Sequence, residues 1–204
     1  MRYLLVLATL VVLCSVTLLG AEYQARTGDV LFQTTETPQS SAIQLATKSP
    51  YCHVGIVFIR DSKPFVLEAV EPAKFTPMNQ WITRGANNHY VAKRLVAADS
   101  ILTSANIAKL LAEGKTMTGK HYDIYFQWSD STVYCSELVW KVYRRALGIQ
   151  LGTPGKLKDF DLANPIVAAK LIERFGQTIP YEETVVAPST IFDSNLLETV
   201  YINK

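Results

Sequence analysis

The chain has 204 residues, and its 20 lysines and arginines against 18 aspartates and glutamates give a formal net charge of only +2. Hydrophobic residues make up 49% of the chain, which is enough for one domain with a sizeable core. The charges form no basic tract or acidic block, so the usual signature of a nucleic-acid-binding chain is missing. We therefore expect one globular domain that does not bind nucleic acid.

The N-terminal segment differs from the rest of the chain. Arg2 is followed by an uncharged run from Tyr3 to Gly20 that is rich in Leu and Val, which is typical of an export signal. A clear small-x-small cleavage site is missing, so an uncleaved anchor that keeps the protein near a membrane is the alternative. We assign residues 1–20 to a signal peptide or N-terminal anchor and residues 21–204 to the folded domain. The expected location is the periplasm or the cell envelope.

The remaining chain carries strand and helix patterns in turn. Apolar runs and turn residues predict strands at residues 27–33, 53–59, 64–70 and 89–97. Helical spacing predicts helices at residues 41–47, 104–114 and 165–175, a helix that ends at Gly148 and a last turn at residues 188–192. Residues 34–41, rich in Thr, Ser, Gln and Pro, are expected to form a loop. In the 165–175 helix, the core face is expected at Val167, Leu171 and Ile172.

The strands on either side of residues 61–62 are predicted to form a β-hairpin. If these two residues form the loop, Gly55 lies opposite Glu68. His53 is two residues from Gly55, so it shares a face with Glu68 and lies diagonally across from it, about 7–8 Å away at the backbone. A buried carboxylate in an apolar strand needs a partner, and His53 supplies one. The alternative is a solvent-facing Glu68 and a His53 that merely begins the strand.

Cys135 precedes a strongly helical run. Ser131 or Thr132 is expected to cap this helix, which puts Cys135 in its first turn. There the unpaired N–H groups and the helix dipole favour an anion, so a thiolate forms more readily. The alternative is a structural cysteine that packs as a small hydrophobe.

Cysteine catalysis needs a nucleophile, a base and a group that orients the base. Cys135, His53 and Glu68 supply these three roles in the order given. The sequence has no H-E-x-x-H and no C-x-x-C motif, so we predict no metal site and no other cofactor. The G-x-S-x-G and G-x-x-x-x-G-K-[ST] motifs are also missing, which argues against a serine hydrolase or a phosphate-binding loop.

Four segments resemble the motifs of the permuted papain-like amidases of the YaeF/YiiX group: HVGIV at 53–57, FVLEAV at 65–70, GKHYD at 119–123 and YCSELV at 134–139. The resemblance covers about residues 27–200. It implies an α+β, circularly permuted papain-like (NlpC-like) fold, in which an antiparallel sheet packs against helices and the nucleophile lies at a helix N-terminus. It also implies that the histidine strand precedes the cysteine helix, and its triad falls on Cys135, His53 and Glu68.

The resemblance also indicates an oxyanion donor. In the related NlpC-type peptidoglycan peptidases, a tyrosine about a dozen residues before the cysteine assists the oxyanion site, and Tyr122 has that placement. The backbone N–H of Cys135 would be the second donor.

The predicted function is an exported cysteine hydrolase, an amidase or peptidase that cleaves an amide or related acyl bond through a thioester. Its partner would be a small-molecule, peptide or lipid-amide substrate. The alternative enzyme is a lipid acyl hydrolase or acyltransferase, because the permuted arrangement also resembles the lecithin:retinol acyltransferases.

The remaining alternative is a non-catalytic module in which Cys52 and Cys135 are joined. Cys52 lies next to His53 in the sequence, but alternation along a strand points the two side chains to opposite faces. We therefore expect Cys52 to be a core residue.

Overall fold

The computed structural model describes residues 23–203. Its strands are β1 (Val30–Gln33), β2 (His53–Arg60), β3 (Lys63–Glu68), β4 (Lys74–Pro77), β5 (Tyr90–Leu95), β6 (His121–Tyr122), β7 (Thr132–Val133), β8 (Gly155–Lys156), β9 (Thr184–Val185) and β10 (Leu197–Ile202). Its helices are α1 (Pro38–Thr47), α2 (Met78–Ile82), α3 (Ala98–Ile101), α4 (Ser104–Met117), α5 (Cys135–Leu147), α6 (Pro165–Phe175) and α7 (Pro188–Phe192). The export signal or anchor predicted at residues 1–20 lies outside the described residues.

A six-stranded sheet forms the centre of the fold. Its strand order is β10-β5-β1-β2-β3-β4, and every neighbouring pair is antiparallel. The short strands β6 and β7 pair in parallel, and β8 pairs antiparallel with β9. The predicted α+β class with an antiparallel sheet against helices is confirmed.

The two faces of the sheet are covered differently. The cysteine helix α5 packs on one face, where Leu138, Val139 and Val142 join the same buried cluster as Val54 and Ile56 of β2. The other face is covered in part by α2, whose Trp81 is fully buried against Val57 and Val66. The start of β2 therefore lies beside the cysteine helix on one side and α2 on the other.

Helix α5 begins at Cys135 itself, and its N-cap is Tyr134. The predicted caps were wrong, because Thr132 lies in strand β7 and Ser131 directly before it. Instead, Oε2 of Glu137 accepts a hydrogen bond from the Tyr134 backbone N–H at 3.4 Å. The predicted end is confirmed, since Gly148 adopts a left-handed conformation with φ of 72°.

Helix α1 begins earlier than the sequence pattern predicts. Thr37 caps it by accepting the N–H of Ser40, and Pro38 occupies the first turn, where its missing N–H costs nothing. The predicted loop at residues 34–41 was therefore wrong in its second half. This difference matters because it places Gln39 in the first turn of a helix rather than in a loop.

Helix α6 has its predicted bounds, but its core face differs. Val167 is buried as predicted, whereas Ile172 is 54% exposed. The last strand, β10, was not predicted. Within residues 23–203, no helix is long and apolar enough to cross a membrane.

Candidate active site

The β2–β3 hairpin has the predicted register. Arg60 pairs with Lys63 and Ile56 with Leu67, so Gly55 lies opposite Glu68. Nε2 of His53 lies 2.7 Å from Oε2 of Glu68, which is the predicted diagonal pair.

Gly55 provides the space that this pair needs. A Cβ atom at Gly55 would lie 2.5 Å from Cγ1 of Val66 and 2.8 Å from the carbonyl oxygen of Leu67. Neither contact is possible without a shift, and the second is with the backbone. The close approach of the two strands at this point therefore requires glycine.

Glu68 is fully buried, and both of its oxygens have partners. Oε2 faces His53, while Oε1 accepts hydrogen bonds from Oγ1 of Thr76 at 2.6 Å and from the guanidinium of Arg84. Burial alone would raise the pKa of Glu68, but the hydrogen bonds from His53, Thr76 and Arg84 lower it to about 2. Glu68 is therefore a carboxylate at any physiological pH, and it is held in one orientation.

His53 is positioned by groups on several sides. Its ring stacks on Trp81 with the ring centres 6.0 Å apart and the planes 26° from parallel. Burial would lower the pKa of His53, but hydrogen bonds to Cys135 and to Glu68 outweigh it and raise the pKa to about 10. Because Nε2 faces an acceptor carboxylate, it carries a proton, and Nδ1 is the nitrogen left for Cys135.

Cys135 is the first residue of α5, in the turn whose backbone N–H groups have no partner within the helix. Its thiol points toward the carbonyl oxygen of Cys52 at 3.9 Å, which places it beside the start of β2. The structure thus brings Cys135, His53 and Glu68 together as the sequence predicts.

Tyr122 also lies near the sulfur. Strand β6 pairs Tyr122 with Val133, two residues before Cys135. Burial and the charge of the Cys135 sulfur raise the pKa of Tyr122 well above its usual range. Its hydroxyl therefore stays protonated and accepts a hydrogen bond from Nε2 of Gln39 at 3.0 Å.

Cys52 and Cys135 are both free thiols in the structure. Cys52 is buried, and its sulfur accepts a hydrogen bond from the backbone N–H of Thr35 at 3.2 Å. This is the core position that the sequence predicts, and the joined pair of the non-catalytic alternative is not formed.

An apolar cavity of about 110 Å³ opens beside the nucleophile. It lies between α1, α6 and the start of α5, and Cys135 and Ser136 form part of its wall. Most of the wall is aliphatic or aromatic, with Ala42, Ile43, Phe126, Leu162, Val167 and Leu171 among its residues. The walls of this cavity come from segments more than a hundred residues apart, so no local sequence pattern shows where it lies.

Several site residues were missed in the sequence. Trp81 and Arg84 lie in a segment that carries none of the recognised motifs, and Gln39 lies in the stretch that was predicted to be a loop. The hairpin pattern shows where Glu68 must be, but it does not show which distant side chains reach it.

A six-stranded antiparallel sheet, a helix that begins with a cysteine and a histidine on the strand beside it together define a papain-like fold. The histidine strand precedes the cysteine helix along the chain, which is the permuted order. The family model described as "permuted papain-like amidase enzyme, YaeF/YiiX, C92 family" matches residues 24–201, and the chain belongs to this family.

Two relatives show the same relationship. The chain is 49% identical to the uncharacterized protein YiiX of Escherichia coli strain K12 over 178 residues, which is 87% of each chain. It is also 49% identical to the crystal structure of YiiX from Escherichia coli O157:H7, with a TM-score of 0.86 over 89% of this chain and 99% of that chain. That relative is described as a metalloprotein. In residues 23–203 of this chain, no group of three or more His, Cys, Asp or Glu side chains has an arrangement that could hold a metal ion.

Proposed function

We propose that the protein is a cysteine hydrolase that cleaves an amide or related acyl bond through a thioester on Cys135. One arrangement carries the proposal: the start of α5 places the Cys135 sulfur against the carbonyl oxygen of Cys52, the residue before His53, and Nε2 of His53 faces the buried carboxylate of Glu68 at 2.7 Å. An imidazolium beside a sulfur favours the thiolate, which is the nucleophilic form of cysteine.

The reaction begins with attack of the Cys135 sulfur on the acyl carbon. The bond from that carbon to the leaving nitrogen or oxygen breaks, and His53 donates its Nδ1 proton to the leaving group. Water then attacks the acyl carbon of the thioester while His53 takes one of its protons. The bond from that carbon to the sulfur breaks, the carboxylic acid leaves, and the Cys135 thiolate and the protonated His53 are restored. Glu68 holds the proton of Nε2 throughout, so the ring keeps the orientation that both proton transfers need.

The oxygen of the acyl group becomes negative during each attack. The backbone N–H of Cys135 is unpaired within its helix, and the protonated hydroxyl of Tyr122 lies nearby. These two groups are the proposed donors to that oxygen.

The apolar cavity favours a second candidate, a hydrolase or acyltransferase that acts on lipid acyl groups. A thioester formed on Cys135 would place its acyl chain next to a wall that is mostly aliphatic or aromatic. Moving each methylene of such a chain out of water is worth about 0.8 kcal/mol. The two candidates share the same triad and differ in the acyl group that they accept.

We also propose that the protein is exported and acts in the periplasm or cell envelope. The support is Arg2 followed by the apolar run to Gly20. Fractionation of cells that express the full chain tests this: a cytoplasmic protein with an intact N-terminus would contradict it.

The central experiment measures acylation of Cys135 directly. The full chain is mixed with p-nitrophenyl esters of acetate and octanoate and with the octanoyl p-nitroanilide, quenched in acid and weighed by mass spectrometry. We expect an acyl adduct on Cys135, none in Cys135→Ala, and an unchanged adduct in Cys52→Ser. No adduct on the wild-type chain, or one on Cys52, would contradict the proposal. A preference for octanoate over acetate would favour the lipid candidate.

A further inference from the structure

Three side chains form a hydrogen-bonded chain that ends beside the nucleophile. The guanidinium of Arg174, on α6, donates from Nη2 to Oε1 of Gln39 at 3.1 Å. Gln39, in the first turn of α1, donates from Nε2 to the hydroxyl oxygen of Tyr122 at 3.0 Å. Arg174, Gln39 and Cys135 line the same cavity.

Arg174 fixes which way the amide of Gln39 points. An amide oxygen and nitrogen are hard to tell apart by shape alone, but a guanidinium is a donor only. The atom facing Arg174 must therefore be the oxygen, and the nitrogen must face Tyr122. Arg174 is itself held in place, because its guanidinium carbon lies 4.7 Å from the centre of the Phe126 ring.

This orientation decides what the Tyr122 hydroxyl can do. Its oxygen accepts the Gln39 hydrogen bond, so its own proton cannot be directed at Gln39 and stays available to another acceptor. The pairing of Tyr122 with Val133 keeps it next to the start of α5, where an acyl oxygen would carry negative charge.

We propose that Gln39, held by Arg174, is a positioning residue that directs the Tyr122 hydroxyl proton toward the acyl oxygen on Cys135. This inference rests on the proposed cysteine chemistry and extends it to two residues of α1 and α6 that do not touch the reacting atoms.

The test is a double-mutant cycle between Gln39→Leu and Tyr122→Phe, read as the rate of Cys135 acylation by p-nitrophenyl octanoate. Loss of one oxyanion donor costs about a hundredfold to a thousandfold, so we expect Tyr122→Phe to fall in or near that range. We expect Gln39→Leu to lose about three- to tenfold, since Tyr122 remains but is no longer oriented. In the Tyr122→Phe background, Gln39→Leu should then cause no further loss.

A second variant, Gln39→Glu, keeps the size and the acceptor for Arg174 but presents an acceptor to Tyr122 as well. The Tyr122 proton would then turn to the new carboxylate, so this variant should lose more than Gln39→Leu. Gln177→Leu and Gln177→Glu, at an exposed position just after α6, are the matched controls and should keep the wild-type rate.

Alkylation of Cys135 by iodoacetamide distinguishes a loss of oxyanion positioning from misfolding and from loss of the reactive thiolate. This reaction forms no oxyanion, so Tyr122→Phe and both Gln39 variants should alkylate at the wild-type rate. Two results would overturn the inference and leave the cysteine chemistry intact. One is a wild-type rate of Cys135 acylation in Gln39→Leu. The other is a double variant whose loss in rate is the product of the losses in Gln39→Leu and Tyr122→Phe. A wild-type chain that is not acylated at Cys135 would overturn the proposed function and the inference together.

Discussion

His53 and Glu68 are not directly opposite each other in the β2–β3 hairpin, yet their side chains meet at 2.7 Å. The residue opposite Glu68 is Gly55, which has no side chain to separate them. A one-residue slip of the hairpin would send His53 and Glu68 to opposite faces of the sheet. The pair therefore depends on the two-residue turn at residues 61–62, which sets the register.

Glu68→Gln should lower kcat by about ten- to a thousandfold. Gln keeps the size of the side chain but removes the charge that stabilises the imidazolium, and it can present its amide N–H to His53 and hold the wrong tautomer. KM should change little, because Glu68 contacts His53 rather than the substrate. The measurement is steady-state hydrolysis of the best p-nitrophenyl ester.

The matched control for this change is Glu198→Gln, at an exposed position in β10. Glu71 is unsuitable as a control, because its carboxylate accepts the Tyr122 backbone N–H at 2.8 Å and pairs with His121. Full activity in Glu68→Gln, or equal losses in both variants, would show that the His53–Glu68 contact is not part of the reaction.

Gly55→Ala should destabilise the fold by about 1–3 kcal/mol and reduce activity as well. The added methyl would meet the backbone of Leu67 at 2.8 Å, so the strands must separate at the point where His53 reaches Glu68. Gly155→Ala is the control, since its methyl would approach only the side chain of Asp159, whose Oδ2 lies 3.2 Å away. Urea unfolding at pH 7 measures both free energies, and equal values for the two variants would contradict the packing argument.

Cys135 should react with iodoacetamide at least about tenfold faster than Cys52. The two cysteines are 3% and 4% exposed, so accessibility alone predicts similar rates. Only Cys135 has an imidazolium partner and a helix N-terminus. Peptide mapping after timed alkylation gives both rates in one sample, and equal rates would argue against Cys135 as the nucleophile.

The hairpin and the cysteine helix were predictable because each is specified locally. Alternating apolar residues and a two-residue turn set the register of β2 and β3, and from it the place of Glu68. The helix after Cys135 follows from its apolar spacing and from Gly148. Its cap was mispredicted, because Ser131 and Thr132 have the right side chains, but Thr132 pairs with His121 of β6 and Ser131 lies directly before that strand.

The rest of the site depends on contacts that no local pattern contains. Gln39 was not recognised as a site residue, because its polar segment was predicted to be a loop, although Thr37 followed by Pro38 is typical of a helix start. Ile172 has the spacing of a core residue, but α1 covers only the other side of α6, so tertiary packing decides its exposure. Trp81 and Arg84 become site residues only because α2 folds back beside the start of β2.

Leu171→Trp should reduce the rate with p-nitrophenyl octanoate about tenfold or more and leave the acetate ester almost unchanged. Leu171 lines the cavity beside Cys135, and an indole would fill the space that two or more methylenes of the longer chain would occupy. Ile172→Trp is the control, because the side chain of Ile172 is 54% exposed and is not part of the cavity wall. If Leu171→Trp changed the rates with the octanoate and acetate esters by the same factor, the acyl chain would not enter this cavity.

The His53–Glu68 pair should also make stability depend on pH in a defined window. The pKa of His53 is raised from 6.5 to about 10 in the folded state. The contribution of His53 to the free energy of unfolding is therefore fully present below about pH 6.5 and is lost as the pH rises through 10. The pKa of Glu68 is lowered from 4.5 to about 2, so its contribution is present above about pH 4.5 and is lost as the pH falls through 2.

Glu68→Gln tests this window, because it removes a charge that raises the pKa of His53. The decline in unfolding free energy should still begin near pH 6.5, because the unfolded-state pKa of His53 is unchanged, but it should end at lower pH in this variant than in the wild type. Urea unfolding at steps between pH 5 and pH 10 measures it, and the contributions of all other groups cancel when the two curves are subtracted. Glu198→Gln should give a curve parallel to the wild type. A parallel curve for Glu68→Gln would mean that the carboxylate does not set the charge of His53.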